Sequence, residues 1–312
     1  MRTPVPKMTP ELDGVLRDTV IANSAPGSIL DDFQTALDFV HETTPLLTKS
    51  RLLPLKALKP LHLRLQRQIE HGLARPQQKS YPHINGLFLL LRASGIAVVD
   101  ASGRKPLLDI DHLALDSWNT LNPDERYFAL LESWLMRGDT SIIGERPGRF
   151  EFDAPYFKWA EFFRLLPEDH WIYDDWAERA RYRPGLPNLA LMGLFGLVDI
   201  EDDLPEEKKG WRIKDVEATQ WGEAPLASIW SELGDDWEFW AQLSQPDLIP
   251  PGVLQPFIQP YRPGWQQVLE LPGQTFQPGS FVFKVSLDAD LWRQIILEHI
   301  VKALSHTGRS RR

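Results

Sequence analysis

The order helix, glycine, strand, charged turn, strand occurs twice in this chain, and it narrows the fold more than any other feature. In the first copy an apolar helix over 82–94 ends at Gly95. Ile96-Ala97-Val98-Val99, a charged tip over 101–106 and the returning Leu107-Leu108-Asp109-Ile110 follow. The second copy runs from Leu189 through Gly196 to Leu197-Val198-Asp199-Ile200, a tip over 202–210 and Trp211-Arg212-Ile213. A glycine after the last apolar turn is the usual helix stop, because it accepts the left-handed conformation there. Two short β-prone runs around a polar turn read as a hairpin. Helix followed by hairpin is the order that closes a winged-helix module. The expected fold is therefore mainly α with small β-hairpins: tandem winged-helix-like modules plus an incomplete α+β C-terminal segment.

With 312 residues the chain is long enough for about two domains. The expected division is a helical N-terminal arm over 1–48, a basic winged-helix-like module over 49–145 and an acidic, Trp-rich one over 146–245. A Pro-rich linker over 246–278 and a C-terminal segment over 279–312 complete it. The linker is expected because eight prolines fall between 246 and 278, too dense for a helix or central strand. Helices are expected over 9–23, with Thr9 as cap and Pro10 in the first turn, and from Ser28 onward with Ile29, Phe33, Leu37 and Val40 on one face. A basic amphipathic helix over 52–65 should be interrupted near Pro60, and further short helices begin at Asp153 and over 171–182. Asn122-Pro123-Asp124-Glu125 spells a helix start, with Asn as cap, Pro in the first turn and two acids on the positive helix end.

Charge is segregated. Eleven cations against two acids lie between Lys49 and Lys105, a balance of +9 in a chain of net charge −9, so the rest carries −18. The stretch from Asp199 to Asp247 holds fourteen acids and four bases. Such separation fits an anionic partner on the basic third, or docking of the two regions on each other; scattered solvated cations are the plainer alternative. The candidate nucleic-acid contacts are Arg64, Arg67, Arg75, Gln77, Gln78, Lys79, Tyr81 and His83. Arg75 and Lys79 could neutralise phosphates, Gln77, Gln78 and Asn85 could bond phosphates or base edges, and Tyr81 could stack. The alternative is a polar loop between two helices. Nine Trp lie between 134 and 240, most at helical spacing with other apolar residues, which reads as core. Trp237 and Trp240 stand among acids and suit a protein partner better than nucleic acid.

Residues 281–287 alternate as a strand, and 291–304 keep a helical apolar stripe. The segment Gly279-Ser280-Phe281-Val282-Phe283-Lys284-Val285-Ser286-Leu287, with Leu291-Trp292-Arg293-Gln294-Ile295, resembles the opening of a small α+β domain. That domain belongs to the plasmid pRi ORF-three-like family, also labelled insertion-element passenger TnpR-type. The stretches 51–56, 75–83 and 121–127 resemble the long N-terminal extension of some members. The resemblance implies a mobile-element context. It covers the named domain over about 279–297, and the Asp-His-Leu-Tyr motif of the family does not follow, so a truncated C-terminal domain is expected.

Few residues suggest chemistry. There is no Cys, which excludes disulfides, thiolate catalysis, zinc fingers and iron–sulfur clusters. Neither a glycine-rich phosphate loop, nor Gly-x-Ser-x-Gly, nor His-Glu-x-x-His occurs. Asp109, Asp111 and His112 are more readily a return strand entering a capped helix than a metal site. Asp174-Asp175 and Glu201-Asp202-Asp203 read as solvated carboxylates. The expectation is a non-enzymatic protein without cofactor or metal, with DNA as partner through the basic module or a protein as partner through the acidic Trp-rich one. No apolar run reaches 18 residues and no apolar run follows the N-terminal cations, so neither membrane insertion nor a secretory signal is expected, and the default location is the cytoplasm.

Overall fold

The computed structural model describes residues 7–144, 184–233, 249 and 251–271. The described chain is helical over about half its length and carries two separate two-stranded antiparallel hairpins. In order, the elements are α1 (Pro10–Asp18), α2 (Ile29–Thr43), α3 (Leu55–His62), α4 (Pro82–Ala93), β1 (Ala97–Asp100), β2 (Leu107–Ile110), α5 (His112–Thr120) and α6 (Pro123–Arg137). They continue with α7 (Leu186–Leu194), β3 (Val198–Asp202), β4 (Ile213–Ala218), α8 (Gln220–Leu233) and the short α9 (Gln255–Ile258). Single 3-10 turns cover Gln78–Ser80 and Thr140–Ile143. The expected helices from Asp153 and over 171–182, Asp174-Asp175, Trp237 and Trp240, and the whole C-terminal segment lie outside the described residues.

Local chemistry explains the helix starts. The Thr9 hydroxyl accepts the Leu12 amide at 3.2 Å and opens α1. At α6 Asn122 Oδ1 accepts the Glu125 amide at 3.0 Å, and Glu125 Oε2 accepts the Asn122 amide at 2.9 Å, a reciprocal capping box. Asp111 caps α5 through the amides of Leu113 and Ala114. The expected helix over 9–23 is shorter, ending at Asp18. The basic helix starts at Leu55 and passes through Pro60 to His62 instead of breaking there. Ser28 does not cap α2 with its side chain. Its hydroxyl donates to buried Asp32, which also accepts the Gln66 amide at 2.7 Å.

Both copies of the repeated order fold as helix plus hairpin, α4–β1–β2 and α7–β3–β4, but the second returning strand runs over Ile213–Ala218 and not over the expected 211–213. Their helices pack on each other so closely that a Cβ on Gly86 of α4 would lie 2.8 Å from Leu191 of α7. One hydrophobic cluster runs through the described chain from Leu12 to Leu269.

The prolines of 246–278 predict an extended linker, whereas the described residues 251–271 are packed into that cluster. Val253, Leu254, Phe257, Ile258, Trp265 and Leu269 are buried. Carboxylates of α6 hold the backbone there: Glu132 accepts the amides of Gly252 at 2.7 Å and Leu254 at 2.8 Å, and Glu125 accepts those of Gln266 and Gln267. Buried Arg262 pairs with Asp124 at 2.6 Å and donates to the carbonyls of Leu16, Arg17 and Thr19 at the end of α1. Proline removes donors from a segment but leaves its remaining amides free to bond elsewhere. Here they bond to α6, and the segment straps α1 to α6.

Candidate nucleic-acid interface

The structure divides the sequence-derived candidates into an outward and an inward set. Arg75, Gln77 and Lys79 are on the loop before α4, with Arg75 and Lys79 exposed. Gln78, between them, is 3% exposed: its Oε1 accepts the Leu53 amide at 2.6 Å and its Nε2 donates to Asn85 Oδ1 at 2.8 Å. Tyr81 is 7% exposed, with its ring centroid 5.1 Å from that of His62 and 4.8 Å from that of His71. His83 is 2% exposed, neither ring nitrogen has a hydrogen-bond partner among the described residues, and its ring lies 5.6 Å from Trp211. Burial above all, then the charge of Arg67 and the neighbouring His62, lowers the His83 pKa to about 3. Gln78, Tyr81, His83 and Asn85 therefore hold the inside of the fold together and do not face solvent.

Arg64 and Arg67 have internal partners. Arg64 donates to Glu42 at 2.7 Å and lies over the Phe39 ring. Arg67 donates from Nη2 to the Ile200 carbonyl and to Asp202, both at 2.9 Å. Beside them the Gly72 amide donates to the Lys209 carbonyl at 3.1 Å, and the Lys208 amide donates to the Gly72 carbonyl at 2.8 Å. The basic segment is thus docked on the acidic hairpin, one of the two uses that the charge separation allows. In the same hairpin Glu201 pairs with Lys214 and Asp203 with Arg212, both at 2.5 Å.

Helix α4 is closed to any groove. Every residue from Pro82 to Leu91 is buried, as is Ala93. With apolar residues on all sides it has no solvent face, and α7, α6 and α2 lie around it. Trp134, Trp211 and Trp221 are buried as core.

A different set of cations stands free. Lys49, Arg51, Lys56, Lys59, Arg104 and Lys105 are exposed, as are Arg75 and Lys79. Among the described residues none of these eight has a carboxylate within 4.0 Å. The sequence holds these cations but gives no reason to prefer 49, 51, 104 and 105. The structure supplies one by adding residues 45–47 to the edge of β2: Leu46 bridges Leu107, the Leu47 amide donates to the Pro106 carbonyl at 2.8 Å, and the Leu108 amide donates to the Pro45 carbonyl at 3.0 Å. Turn 48–51 thereby comes beside the β1–β2 tip.

Comparisons with family models, with curated proteins and with solved structures return no match. Among the described residues no helix is long and apolar enough to cross a membrane.

Proposed function

We propose that this chain is a non-enzymatic nucleic-acid-binding protein built on two winged-helix-like modules, which binds through the exposed cations of the first. The order α2, strand segment 45–47, α3, α4, β1, β2 supports the module reading. A strand segment between the first two helices, paired to the returning strand of the hairpin, is how a winged helix assembles its small sheet. A second module would take α6 as its first helix, α7 as its third and β3–β4 as its hairpin. An accessory role in a mobile element rests on the family resemblance alone.

The observation that carries the binding reading is the group of eight exposed cations without acidic partners among the described residues. Exposed cations that the protein leaves unpaired release phosphate counterions when they bind nucleic acid, so affinity falls steeply with salt. The test is fluorescence anisotropy of a labelled DNA duplex across a potassium chloride series. The expected result is a clearly negative log–log slope; no binding at about 50 mM salt overturns the reading.

One observation favours a protein-interaction role instead. Both α4 and α7 spend their surfaces on each other and on the core, so neither reads bases, and part of the charge separation is used in docking Arg67 on Asp202. The same titration separates the two, since an interaction module gives a flat response to DNA.

A further inference from the structure

The free cations are not equivalent: Lys56 and Lys59 lie on α3, and the surroundings of the other six separate them into two groups. Arg75 and Lys79 follow Gly72, whose backbone is bonded to the tip of the β3–β4 hairpin. That side carries Asp202, Asp203, Glu206 and Glu207 against Lys208, Lys209 and Arg212, so acids offset its cations and it attracts a polyanion less than a tip without acids. The other group surrounds the β1–β2 tip. Residues 101–105 there are all exposed. The antiparallel pairing of 45–47 with 106–108 brings the turn that carries Lys49 and Arg51 to the end of β2 that leads into Arg104 and Lys105. The turn is closed by the Arg51 amide on the Thr48 carbonyl at 2.9 Å and the Thr48 amide on the Leu52 carbonyl at 2.8 Å. Half-buried Arg92 stands close enough to Arg51 for the two charges to repel, and among the described residues it has no carboxylate within 4.0 Å. An open depression of about 510 Å³ lies against the tip, lined by Leu46, Gly103, Arg104, Lys105 and Leu107. The carboxylates around it are engaged locally: Asp100 accepts the Ser102 amide at 2.7 Å, Asp109 the Ile110 amide at 2.9 Å, and Glu42 is held by Arg64.

We infer that turn 48–51 and the β1–β2 tip form a seat for the phosphate backbone of a nucleic-acid duplex, bound without regard to sequence, with Lys49, Arg51, Arg104 and Lys105 as its cations. This deepens the nucleic-acid reading and rests on it. Two observations select the duplex backbone. Direct readout needs an element that enters a groove, and α4 is buried from Pro82 to Leu91. Single strands are held by bases stacked on aromatic rings, and among the described residues the exposed large hydrophobics are Val20, Leu46, Leu55, Leu63, Val98, Leu113 and Leu204, with no ring among them. What remains is charge on phosphate, which positions but does not specify.

The experiment uses the full chain, a labelled mixed-sequence duplex of about 20 base pairs, a second duplex of unrelated sequence and the matching single strand, each titrated by anisotropy over a salt series. Lys49→Ala with Arg104→Ala and Lys105→Ala should lower the magnitude of the duplex log–log slope by about 2.7, at roughly 0.9 for each phosphate no longer neutralised. Arg75→Ala with Lys79→Ala should leave it unchanged, and the two duplexes should bind alike. Lys105→Glu alone, a single surface change, keeps the test valid if the triple variant fails to fold, and it should weaken binding at low salt. If the wild-type chain does not bind, both the function and this site fall. If it binds and the slope drops for Arg75 and Lys79 but not for the triple variant, the site is wrong and the function stands. Tighter binding of the single strand, or a preference between the duplexes, overturns the backbone assignment.

Discussion

Both hairpins leave a helix through a left-handed glycine, Gly95 at φ 77° and Gly196 at φ 72°. Each closes with the same hydrogen bond: the Asp111 amide returns to the Ile96 carbonyl at 2.9 Å, and the Thr219 amide to the Leu197 carbonyl at 3.1 Å. The closing residue then caps the next helix, Asp111 for α5 and Thr219, through Gly222, for α8. From this shared frame the tips diverge. The β1–β2 tip reads Ala-Ser-Gly-Arg-Lys-Pro and stands in water. The β3–β4 tip ends in Trp211, 2% exposed, whose Nε1 donates to Asp202 at 2.9 Å. Arg212 of the same tip binds Asp203 and Glu206. A large aromatic brings enough buried area to pull a tip onto the body; a tip of small and charged residues has nothing to bury. The frame sets where a hairpin starts and ends, and the tip sequence sets whether it is docked or free.

The largest effect should come from the two equivalent glycines. A Cβ on Gly196 would lie 2.4 Å from the Pro26 carbonyl oxygen and 3.0 Å from the Gly27 amide, both backbone atoms. A Cβ on Gly95 would meet the end of the Leu271 side chain at 2.8 Å, which can turn away. Left-handed backbone costs alanine about 1–2 kcal/mol at either position. Gly95→Ala should therefore cost near that figure, and Gly196→Ala about 4 kcal/mol or more, because the loop at Pro26 must move. Urea unfolding of the two variants checks this, and equal losses would break the asymmetry between the two units.

Acid should weaken the docked side next. His83, in the first turn of α4, packs against Trp211, and its pKa falls from 6.5 in the unfolded chain to about 3 in the folded one. Below pH 6.5 the unfolded chain takes a proton that the folded chain refuses, so stability is complete above that value and is lost as pH falls toward 3. The slope is up to about 1.4 kcal/mol per pH unit, or about 2 kcal/mol at pH 5. His62 shifts downward as well, mainly by burial, and adds in the same direction. His83→Leu strands no partner among the described residues, since neither ring nitrogen is bonded there. It should flatten the stability profile between pH 6.5 and about pH 4 as read by thermal melting. A profile as steep as that of the wild type would place the acid sensitivity elsewhere.

The elements written in neighbouring residues were legible in the sequence: both glycine stops, the presence of both hairpins, and the Asn122 cap followed by Pro123. Each depends on residues a few positions apart. The strand segment 45–47 was not legible, because Pro-Leu-Leu has no alternation and its partner lies about sixty residues on. The strap over 251–271 was hidden for a similar reason, since Glu125, Glu132 and Arg262 reach across more than a hundred residues to form it. Within the candidate site, Gln78, Tyr81 and His83 belong to polar or half-polar types and read as surface, while α7 and the β3–β4 hairpin decide that they are inside. A signal was available in α4 itself. A helix reading Ile84 to Leu91 with no polar stripe must be covered on every side, and the residues at its entrance are covered with it.

The smallest effect sharpens the contrast between docked and free cations. Arg67 and Asp202 meet at 2.9 Å with side chains 28% and 38% exposed, so solvent screens the pair and their coupling should be about 0.5–1 kcal/mol. A double-mutant cycle of Arg67→Ala and Asp202→Asn isolates it. Arg67→Ala also loses the bond to the Ile200 carbonyl, which the cycle cancels, while Asp202→Asn removes the charge and keeps an Oδ1 that can accept from Trp211. The coupling should fall toward zero at about 1 M salt, where the screening length is about 3 Å. Arg104→Ala and Lys105→Ala, by contrast, should each change stability by less than about 0.5 kcal/mol at any salt, as exposed side chains without structural partners do. A coupling absent at low salt would mean that the β3–β4 tip is held by Trp211 and the backbone bonds of Gly72 alone. A marked stability loss at Arg104 or Lys105 would mean that the β1–β2 tip is tied to the body as well, and the cations assigned to the duplex would then be structural.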